Sequence, residues 1–325
     1  MGQVGTILAR TFHARGVEVV VLSRQPYRAP WRTVRWDARS RGEWVQELEG
    51  ADGLINLAGR SVNCRYTPAN RTAILPSRVE STRALGEAIT ISSRPPALWL
   101  QSSTATIYAH RYDAPNDEAT GIVGGSEADA PDAPDAPDAP DAWRFSVAVA
   151  TAWERAATAF ARPETRLVLL RSSMIMSPDA EGVFDTLLGL VRGGLGGTSG
   201  NGHQFLSWIH DIDFVRALDW IIAREHLAGA INLASPGPLP NAAFMRTLRE
   251  AWGTRVGLPA MAWMLEIGAI FLKTETERVL KSRRVVPGRL LEDGFVFQFP
   301  LWDEAARDLC TRWRHRELAV EYLSS

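Results

Sequence analysis

Short apolar runs alternate with longer helical patterns through the first half of the chain, and this alternation limits the folds that the chain can adopt. The runs at residues 17–22 and 52–57 are typical of strands that are buried on both faces of a parallel sheet. The sequence therefore predicts an α/β fold, a doubly wound parallel sheet with helices on both faces. Further strands are predicted at residues 33–36, 97–102 and 166–171, and helices at residues 4–15, 41–48, 68–91 and 143–161.

The C-terminal part of the sequence loses this regular alternation. We place a boundary near residue 175, which predicts two domains, residues 1–175 and residues 176–325. Residues 126–142 hold an Asp-Ala-Pro repeat, which favours an extended low-complexity loop, with a docking tail as the alternative. The second domain is predicted to be smaller and mixed α/β, with strands at residues 205–209 and 295–299 and helices at residues 211–224, 240–252, 259–272 and 303–313.

Composition argues against several functional classes. The 325 residues carry a formal net charge of −1, so the chain has no overall basic surface for nucleic acid. Its two cysteines are too few for a disulfide scaffold and favour a reducing compartment, which we take to be the cytoplasm. No apolar stretch approaches the ~20 residues of a membrane span. The six histidines show no metal-binding spacing. We therefore expect no nucleic acid, membrane or metal partner.

A phosphate-binding turn is predicted at the first residues, where Gly2-Gln3-Val4-Gly5 leads directly into a helix. Dinucleotide-binding folds place glycines between a strand and a helix, so that the pyrophosphate can approach the backbone and the helix N-terminus. Gly2 and Gly5 have the spacing of the last two such glycines, and the strand before them is absent. We therefore expect that the chain starts late, by about ten residues. An N-myristoylation pattern is the weaker interpretation of the same residues.

The end of the next predicted strand indicates which dinucleotide is bound. Arg24 follows Ser23 and lies 19 positions after Gly5, close to the position that contacts the ribose. An acidic residue there would accept the 2′-hydroxyl of NAD, whereas an arginine suits the 2′-phosphate of NADP. NADP(H) is therefore predicted in preference to NAD(H). A solvated arginine is the alternative for Arg24, and Asp37 is assigned either to the adenine ring or to a simple turn.

Small and hydroxyl-bearing residues end the two strands that follow. They are Leu57, Ala58 and Gly59 at one strand end and Ser102, Ser103 and Thr104 at the other. Ligands bind at the carboxyl ends of parallel strands, so these residues are candidate contacts with a cofactor or with a substrate oxygen. Hydroxyls that only satisfy the backbone of a turn are the alternative.

Several segments together resemble the extended short-chain dehydrogenase/reductases, most closely the NAD-dependent epimerase/dehydratase-like branch with a C-terminal domain of unknown function, DUF1731. They are NLAGRSV at 56–62, SRVESTRAL at 77–85, SSTATIY at 102–108 and FLSWIHDIDFV at 205–215. The tail RRVVPGRLLEDGFVF at 283–297 resembles the DUF1731 signature, which we expect over residues 255–315. The resemblance implies a Rossmann-type nucleotide-binding domain over residues 1–175 and a substrate part over residues 176–325.

The resemblance also implies catalytic residues, and one expected pair is missing. Family members carry a Ser or Thr at the end of the fifth strand and Tyr-x-x-x-Lys on the next helix, with the tyrosine as acid and base. Thr104 matches the first position. With Glu154 taken as the anchor of that helix, Ser146 and Ala150 occupy the positions of the pair. No tyrosine in the chain has a lysine four residues on. Tyr108 is the substitute acid that we predict, and the resemblance implies a structural role as the alternative.

The resemblance places the nicotinamide over two strand ends, with the substrate between it and the C-terminal part. The nicotinamide contacts expected there are Ala58, Thr104, Ser172 and Ser173. The expected substrate contacts are Arg60, Asn63, Arg65 and His210. A helix cap or a core position is the alternative for His210.

Three functions fit these observations. The first is an NADP(H)-binding oxidoreductase or epimerase that acts on an unidentified small molecule. The second is a catalytically impaired NADP(H)-binding sensor or scaffold, which the absent Tyr-x-x-x-Lys pair favours. The third is a non-functional gene product, because loss of a central strand would be costly. The expected assembly is a monomer or a homodimer.

Overall fold

Parallel strands form the centre of the fold. The structure is a computed structural model that describes residues 1–25, 27–124, 141–259 and 281–324. One sheet pairs β1 (Val20–Ser23) with β2 (Arg32–Arg35) in parallel. A four-stranded sheet runs in the order β3 (Gly53–Asn56), β4 (Leu98–Thr104), β5 (Arg166–Ser172) and β9 (Gly229–Leu233), with every pairing parallel. The predicted α/β fold with a parallel sheet is confirmed.

Two short sheets stand beside these strands. They pair β6 (Met174–Met176) with β8 (Trp208–His210) in parallel, and β7 (Phe205–Leu206) with β10 (Leu239–Pro240) antiparallel. The run predicted as one strand at residues 205–209 is therefore two strands that separate at Ser207. The Ser207 hydroxyl accepts a hydrogen bond from the backbone N–H of Val285 at 2.8 Å, so another segment holds the break between the strands.

The described part of the chain holds eight α-helices. They are α1 (Gln3–Ala14), α2 (Pro68–Ile91), α3 (Asp141–Thr158), α4 (Val183–Arg192), α5 (Asp211–Ile222), α6 (Asn241–Trp252), α7 (Gly288–Glu292) and α8 (Trp302–Ser324). Helix α2 begins where the sequence predicts, because the Thr67 hydroxyl accepts from the Asn70 N–H at 3.3 Å and Pro68 suits the first turn. The helix predicted at residues 41–48 is a 3₁₀-helix over Glu43–Leu48.

Helices cover both faces of the four-stranded sheet, as predicted. On one face, Ile7 of α1 and Leu218 of α5 belong to the same buried cluster as Leu100 of β4. On the opposite face, Leu85 of α2 packs in a cluster with Trp99 of β4. Successive residues of a strand point to opposite faces, so one strand contributes to both apolar layers.

The two parallel sheets are not joined to each other. In the described part of the chain, β1 pairs only with β2, and β3 pairs only with β4. The remaining edges of β1 and β3 line a single cavity of about 2300 Å³, whose wall includes Leu54, Leu100 and Phe214. Met1 lies at the carboxyl ends of these strands, near Gly5 and the Tyr27 hydroxyl. Two unpaired edges and an apolar wall fit one further parallel strand between the sheets.

A second core lies in the C-terminal part, where α4, α6 and α8 meet. The rings of Phe244 and Trp302 stack with centroids 4.0 Å apart, and Trp208 packs on Trp302 at 4.9 Å. The domain boundary near residue 175 remains a prediction. The predicted loop at 126–142 lies outside the described residues up to residue 140, and so do residues 260–280 of the predicted helix and DUF1731 segment.

The segment at residues 295–299 is not a strand, so that prediction is wrong. The backbone N–H groups of Gln298 and Phe299 donate to the Asp213 carboxylate at 2.8 and 2.7 Å. Asp213 is fully buried at the start of α5 and also accepts from Arg216 at 2.6 Å. The Asp213 carboxylate thus accepts the backbone hydrogen bonds that a neighbouring strand would otherwise accept. The apolar pattern of the segment contains no signal for this distant acceptor.

We predict that Asp213→Ala lowers the free energy of unfolding by about 2 kcal/mol, because two partly buried N–H groups lose their charged acceptor. Urea unfolding followed by circular dichroism measures the loss. Asp219→Ala on the same helix is the matched control, since Asp219 pairs with Arg15 at the surface. That control is expected to change stability by less than about 1 kcal/mol. Equal losses in the two variants would contradict the role of Asp213.

We also predict that an added strand stabilises the chain. Five Val and Ile residues with a glycine turn, fused ahead of Met1, are expected to pair with β1 and β3 and to raise Tm by at least about 5 °C. Differential scanning calorimetry measures Tm. A fusion with prolines at two central positions is the control, because proline cannot donate to the ladder. If both fusions melt at the same temperature, the cavity is not a site for a strand.

Candidate functional site

The carboxyl ends of β1, β3, β4 and β5 open onto the same cavity, and this edge is the candidate functional site. The predicted cofactor contacts that line it are Gly2, Gln3, Val4, Gly5, Ser23, Arg24, Asp37, Leu57, Ala58, Gly59, Ser102 and Ser172. The predicted substrate contact Arg60 lines it as well. The fold thus brings together selected residues from six separate segments of the sequence.

The start of α1 presents backbone N–H groups at the rim of the cavity. Gly2 is the N-cap residue, no side chain in the described part of the chain caps the helix, and its first turn contains no acidic residue. A Cβ at Gly2 would meet nothing within 4 Å, so the backbone is open there. Gln3 points away, with its amide 3.5 Å from the Asp179 carbonyl. Uncapped N–H groups and the helix dipole make this end suitable for a phosphate.

Arg24 follows β1 and Asp37 follows β2. The two side chains differ in whether other residues of the protein engage their charged groups. The Arg24 side chain is exposed at the cavity, and among the described residues it makes no hydrogen bond or ion pair. Asp37 is engaged in its own turn, where its carboxylate accepts from the Ser40 hydroxyl and from the N–H groups of Ser40 and Arg39. These hydrogen bonds, led by that from the Ser40 hydroxyl, lower the pKa of Asp37. Arg24 therefore remains available to an anion.

Asn56 shapes the turn that carries Leu57, Ala58 and Gly59. Its Oδ1 accepts from the Ala58 N–H at 3.0 Å, and its Nδ2 donates to Oε1 of Gln101 on β4 at 2.9 Å. Both amide side chains are buried, and because they are hydrogen-bonded to each other, their burial costs little free energy. The same hydrogen bond fixes the ends of β3 and β4 relative to each other. The turn is therefore rigidly placed below the cavity.

Alternation along β4 and β5 decides which hydroxyls reach the cavity. Ser102 and Ser172 line it, whereas Ser103 points to the opposite face and donates to Oε1 of Glu154 on α3 at 2.6 Å. Ser173 donates to a β9 carbonyl at 2.8 Å. Ser103 and Ser173 are therefore engaged in the protein interior and not at the predicted cofactor edge.

Thr104 lies at the end of β4 and begins the 3₁₀-helix Ala105–Ile107. Its hydroxyl accepts from the Thr106 N–H at 3.2 Å and donates to the Thr106 hydroxyl at 3.1 Å. Thr104 is only half-buried, although it is not part of the cavity wall. Its hydroxyl oxygen thus satisfies the turn backbone, which is the alternative stated for such residues.

Tyr108, the predicted substitute acid, lies in the core with 2% of its surface exposed. Its hydroxyl donates to Oδ1 of Asn232 at 2.9 Å and accepts from Arg171 at 2.9 Å. Arg171 makes two further hydrogen bonds with Glu154, at 2.9 and 2.8 Å. Burial raises the pKa of Tyr108, and the nearby Arg171 only partly offsets it. This geometry gives Tyr108 a structural position that joins β5 and β9.

His210 is fully buried at the start of α5, away from the cavity. Its Nδ1 accepts from the Ile212 N–H at 3.2 Å, its Nε2 lies 3.0 Å from Asp308, and its ring stacks on Phe299. Burial lowers its pKa, despite the raising effect of Asp211 and Asp308. The placement is that of a helix cap in the core, the alternative already stated, and not that of a substrate contact.

The loop between β3 and α2 carries the other predicted substrate contacts. Arg60 donates to Oδ1 of Asn70 at 2.9 Å, and the Arg65 carbonyl accepts from the same amide at 2.6 Å. Asn63 is exposed, with its N–H bonded to the Ser61 hydroxyl at 3.1 Å. Asn70 thus fastens the loop to the first turn of α2 close to the cavity.

Three residues near the site were not selected from the sequence. Tyr66 lies at the end of the same loop, Arg78 lies inside the SRVESTRAL segment, and Lys281 follows the part of the chain that is not described. The Lys281 ammonium is buried and lies 3.4 Å from the Thr106 carbonyl. The position of Tyr66 just before the helix-capping Thr67 was the available signal, although nothing in the sequence indicates its partners.

Within residues 1–25, 27–124, 141–259 and 281–324, no three His, Cys, Asp or Glu side chains are grouped so that they could hold a metal ion. No helix there combines the length and apolarity needed to cross a bilayer. Cys64 and Cys310 are both unpaired thiols.

Two family models and several known proteins match this chain over most of its length. The model of the NAD dependent epimerase/dehydratase family matches residues 1–234, and that of the domain of unknown function DUF1731 matches residues 262–309. Epimerase family protein SDR39U1 from Homo sapiens is 30% identical over 311 residues, covering 95% of this chain and 96% of the relative. Epimerase family protein SH2119 from Staphylococcus haemolyticus is 27% identical over 319 residues, with the same coverage.

Solved structures agree with these relationships. The crystal structure of human SDR39U1 isoform 2 with NADPH has a TM-score of 0.80 and 29% identity, covering 95% of this chain and 96% of that chain. A nucleoside-diphosphate sugar epimerase from Corynebacterium glutamicum has a TM-score of 0.70 and 24% identity, covering 95% of this chain and 56% of that chain, and shares the fold. The chain described here belongs to the NAD dependent epimerase/dehydratase family and carries the DUF1731 domain at its C-terminal end.

Proposed function

We propose that the chain binds NADP(H) across the cavity, in preference to NAD(H), and acts as an oxidoreductase or epimerase on a small molecule. The observation that carries the proposal is the meeting of an uncapped helix start, the turn at Leu57, Ala58 and Gly59, and the exposed Arg24 at one sheet edge. The solved structure of human SDR39U1 with NADPH, similar over 95% of this chain, supports the same cofactor.

The residues present fit the parts of a dinucleotide phosphate in order. The N–H groups that follow Gly2 suit the pyrophosphate, and the Arg24 guanidinium suits a 2′-phosphate by charge and by paired hydrogen bonds. Ala58 and Gly59 present a nearly bare surface on which a flat ring can lie, with Ser172 beside it. The deeper wall, with Leu54 and Phe214, is apolar and suits a strand better than a nucleotide.

The substrate is expected on the open side of the loop between β3 and α2. Arg60, Asn63 and Arg65 lie there, and they supply positive charge and amide groups for an anionic or hydroxylated small molecule. When bound, the nicotinamide supplies hydride transfer, and the chain has to place the substrate carbon and manage its proton. We propose Thr104 as a polarising hydroxyl for the substrate oxygen, since the Thr106 N–H already orients it.

A second function is favoured by a specific observation on α3. Ser146 and Ala150, at the positions of the expected tyrosine and lysine, are both buried. A chain that binds NADP(H) without hydride transfer would act as a sensor or scaffold. NADPH oxidation that depends on an added carbonyl compound distinguishes the enzyme from the sensor.

The remaining proposals concern surroundings and assembly. Two unpaired thiols favour the reducing cytoplasm as the compartment in which the chain works. We propose a small-molecule substrate as its partner, with neither nucleic acid nor membrane, and a monomer or homodimer as its assembly.

We predict that NADPH quenches tryptophan fluorescence with a lower Kd than NADH, and that Arg24→Glu weakens NADPH binding about 10- to 100-fold. The NADH affinity of this variant is expected to change much less, because NADH lacks the 2′-phosphate. Arg307→Glu, which changes the charge equally on α8 outside the cavity wall, is the control. Equal affinity of the unmodified chain for both cofactors, or equal weakening of both by Arg24→Glu, would contradict the assignment of Arg24.

A further inference from the structure

A polar cluster adjoins the cavity at the loop between β3 and α2, and the site described above does not use it. We define the Tyr66 cluster as Tyr66, Cys64, Arg78, Ser146 and Trp153. Ser146 Oγ on α3 donates to the Tyr66 hydroxyl oxygen at 3.1 Å, although the two residues are 80 positions apart. The Tyr66 ring lies edge-on to Phe145, with centroids 5.0 Å apart, so packing fixes its direction toward α3.

Arg78 brings a half-buried positive charge to this cluster. Its guanidinium donates to the carbonyls of Arg60 at 3.0 Å and of Ile74 at 3.3 Å, and it lies 5.0 Å from the centroid of the Trp153 ring. Burial lowers the pKa of Arg78, while negative charge on Tyr66 or Cys64 would raise it. An arginine stays protonated even so, and its charge in turn favours the phenolate form of Tyr66.

Arg78 also connects the cluster with the proposed nicotinamide surface. A Cβ at Gly59 would lie 3.2 Å from Arg78 Cγ and 3.3 Å from its Cζ, so the guanidinium lies directly against the cavity rim. Helix α3, which carries Ser146, also packs against the turn that follows Thr104. Tyr66 itself is only half-buried, which leaves it accessible to a small molecule and to water.

We propose that Tyr66 is the acid and base of the reaction, that Arg78 stabilises its phenolate, and that Ser146 positions its oxygen. Ser146 stands where the resemblance places a tyrosine, so a hydroxyl from another element reaches the same helix position. Tyr108 cannot take this role, because its hydroxyl is buried between Asn232 and Arg171. The inference rests on the proposed function, since it assigns a proton to the same hydride transfer.

Carbonyl reduction with Tyr66 as the acid requires one hydride and one proton. In carbonyl reduction, the substrate carbon forms a C–H bond with the hydride from the reduced nicotinamide, which is thereby oxidised by two electrons. The carbonyl oxygen forms an O–H bond with the proton of the Tyr66 hydroxyl. Tyr66 remains as a phenolate that the charge of Arg78 stabilises, and it recovers its proton from water. Alcohol oxidation runs through the same steps in reverse.

We expect the Tyr66 hydroxyl to ionise at least one pH unit below the value of about 10 for an unperturbed tyrosine. The difference in absorbance at 295 nm between the unmodified chain and Tyr66→Phe, followed against pH, reports this ionisation alone. The other titratable or charged groups near Tyr66 are the Cys64 thiol in its loop and the pair formed by Arg71 and Asp141. Arg78→Gln removes the facing cation and is expected to raise the midpoint, whereas Arg78→Lys keeps it low.

Two further variants keep the test decisive. Ser146→Ala removes the hydrogen bond to the Tyr66 oxygen, and it is expected to raise the midpoint even if Arg78→Gln does not fold. Tyr112→Phe removes an exposed tyrosine elsewhere and serves as the matched control, with the Tyr66 midpoint unchanged. A midpoint at or above about 10, or one that neither Arg78→Gln nor Ser146→Ala moves, overturns the proposal. Tight NADPH binding with such a midpoint refutes only Tyr66, whereas absent NADPH binding refutes the proposed function.

Discussion

Backbone pairing between β3, β4, β5 and β9 is the constraint on which the rest of the structure depends. Because all four strands run parallel, their carboxyl ends meet at one edge, and each chain segment that follows a strand begins there. The glycine turn after β3 and the hydroxyls of Ser102 and Ser172 at the ends of β4 and β5 therefore share one cavity, and the start of α1 lines it as well. The candidate site is a consequence of strand direction and needs no special local conformation of its own.

Buried polar side chains hold this arrangement together where apolar packing cannot specify it. Glu154 on α3 binds Arg171 on β5, and Arg171 in turn reaches Tyr108 and, through it, Asn232 on β9. Asn56 and Gln101 do the same for β3 and β4. A buried ion pair is costly to desolvate, so its value lies in selecting one register among several similar ones.

Much of this fold follows from the sequence alone, because its signals are local. A capping threonine and a proline mark the start of α2, and aliphatic runs mark β1, β3 and β5. Arg24 and the glycines are recognisable by spacing from one another. The contact between Tyr66 and Ser146, the burial of His210 and the carboxylate of Asp213 bonded to Phe299 depend on residues distant in sequence. Local periodicity contains no information about such partners, so the strand predicted at 295–299 fails.

The unpaired edges of β1 and β3 have a consequence for how molecules of this chain behave together. An edge with exposed N–H and C=O groups is a template onto which a strand from another chain can add, and apolar side chains beside it favour that addition. Concentrated solutions of residues 1–325 are then prone to intermolecular strand exchange and to aggregation. A ligand that fills only the polar rim of the cavity would leave both strand edges open. Such a ligand can bind tightly without reducing the tendency of the protein to aggregate.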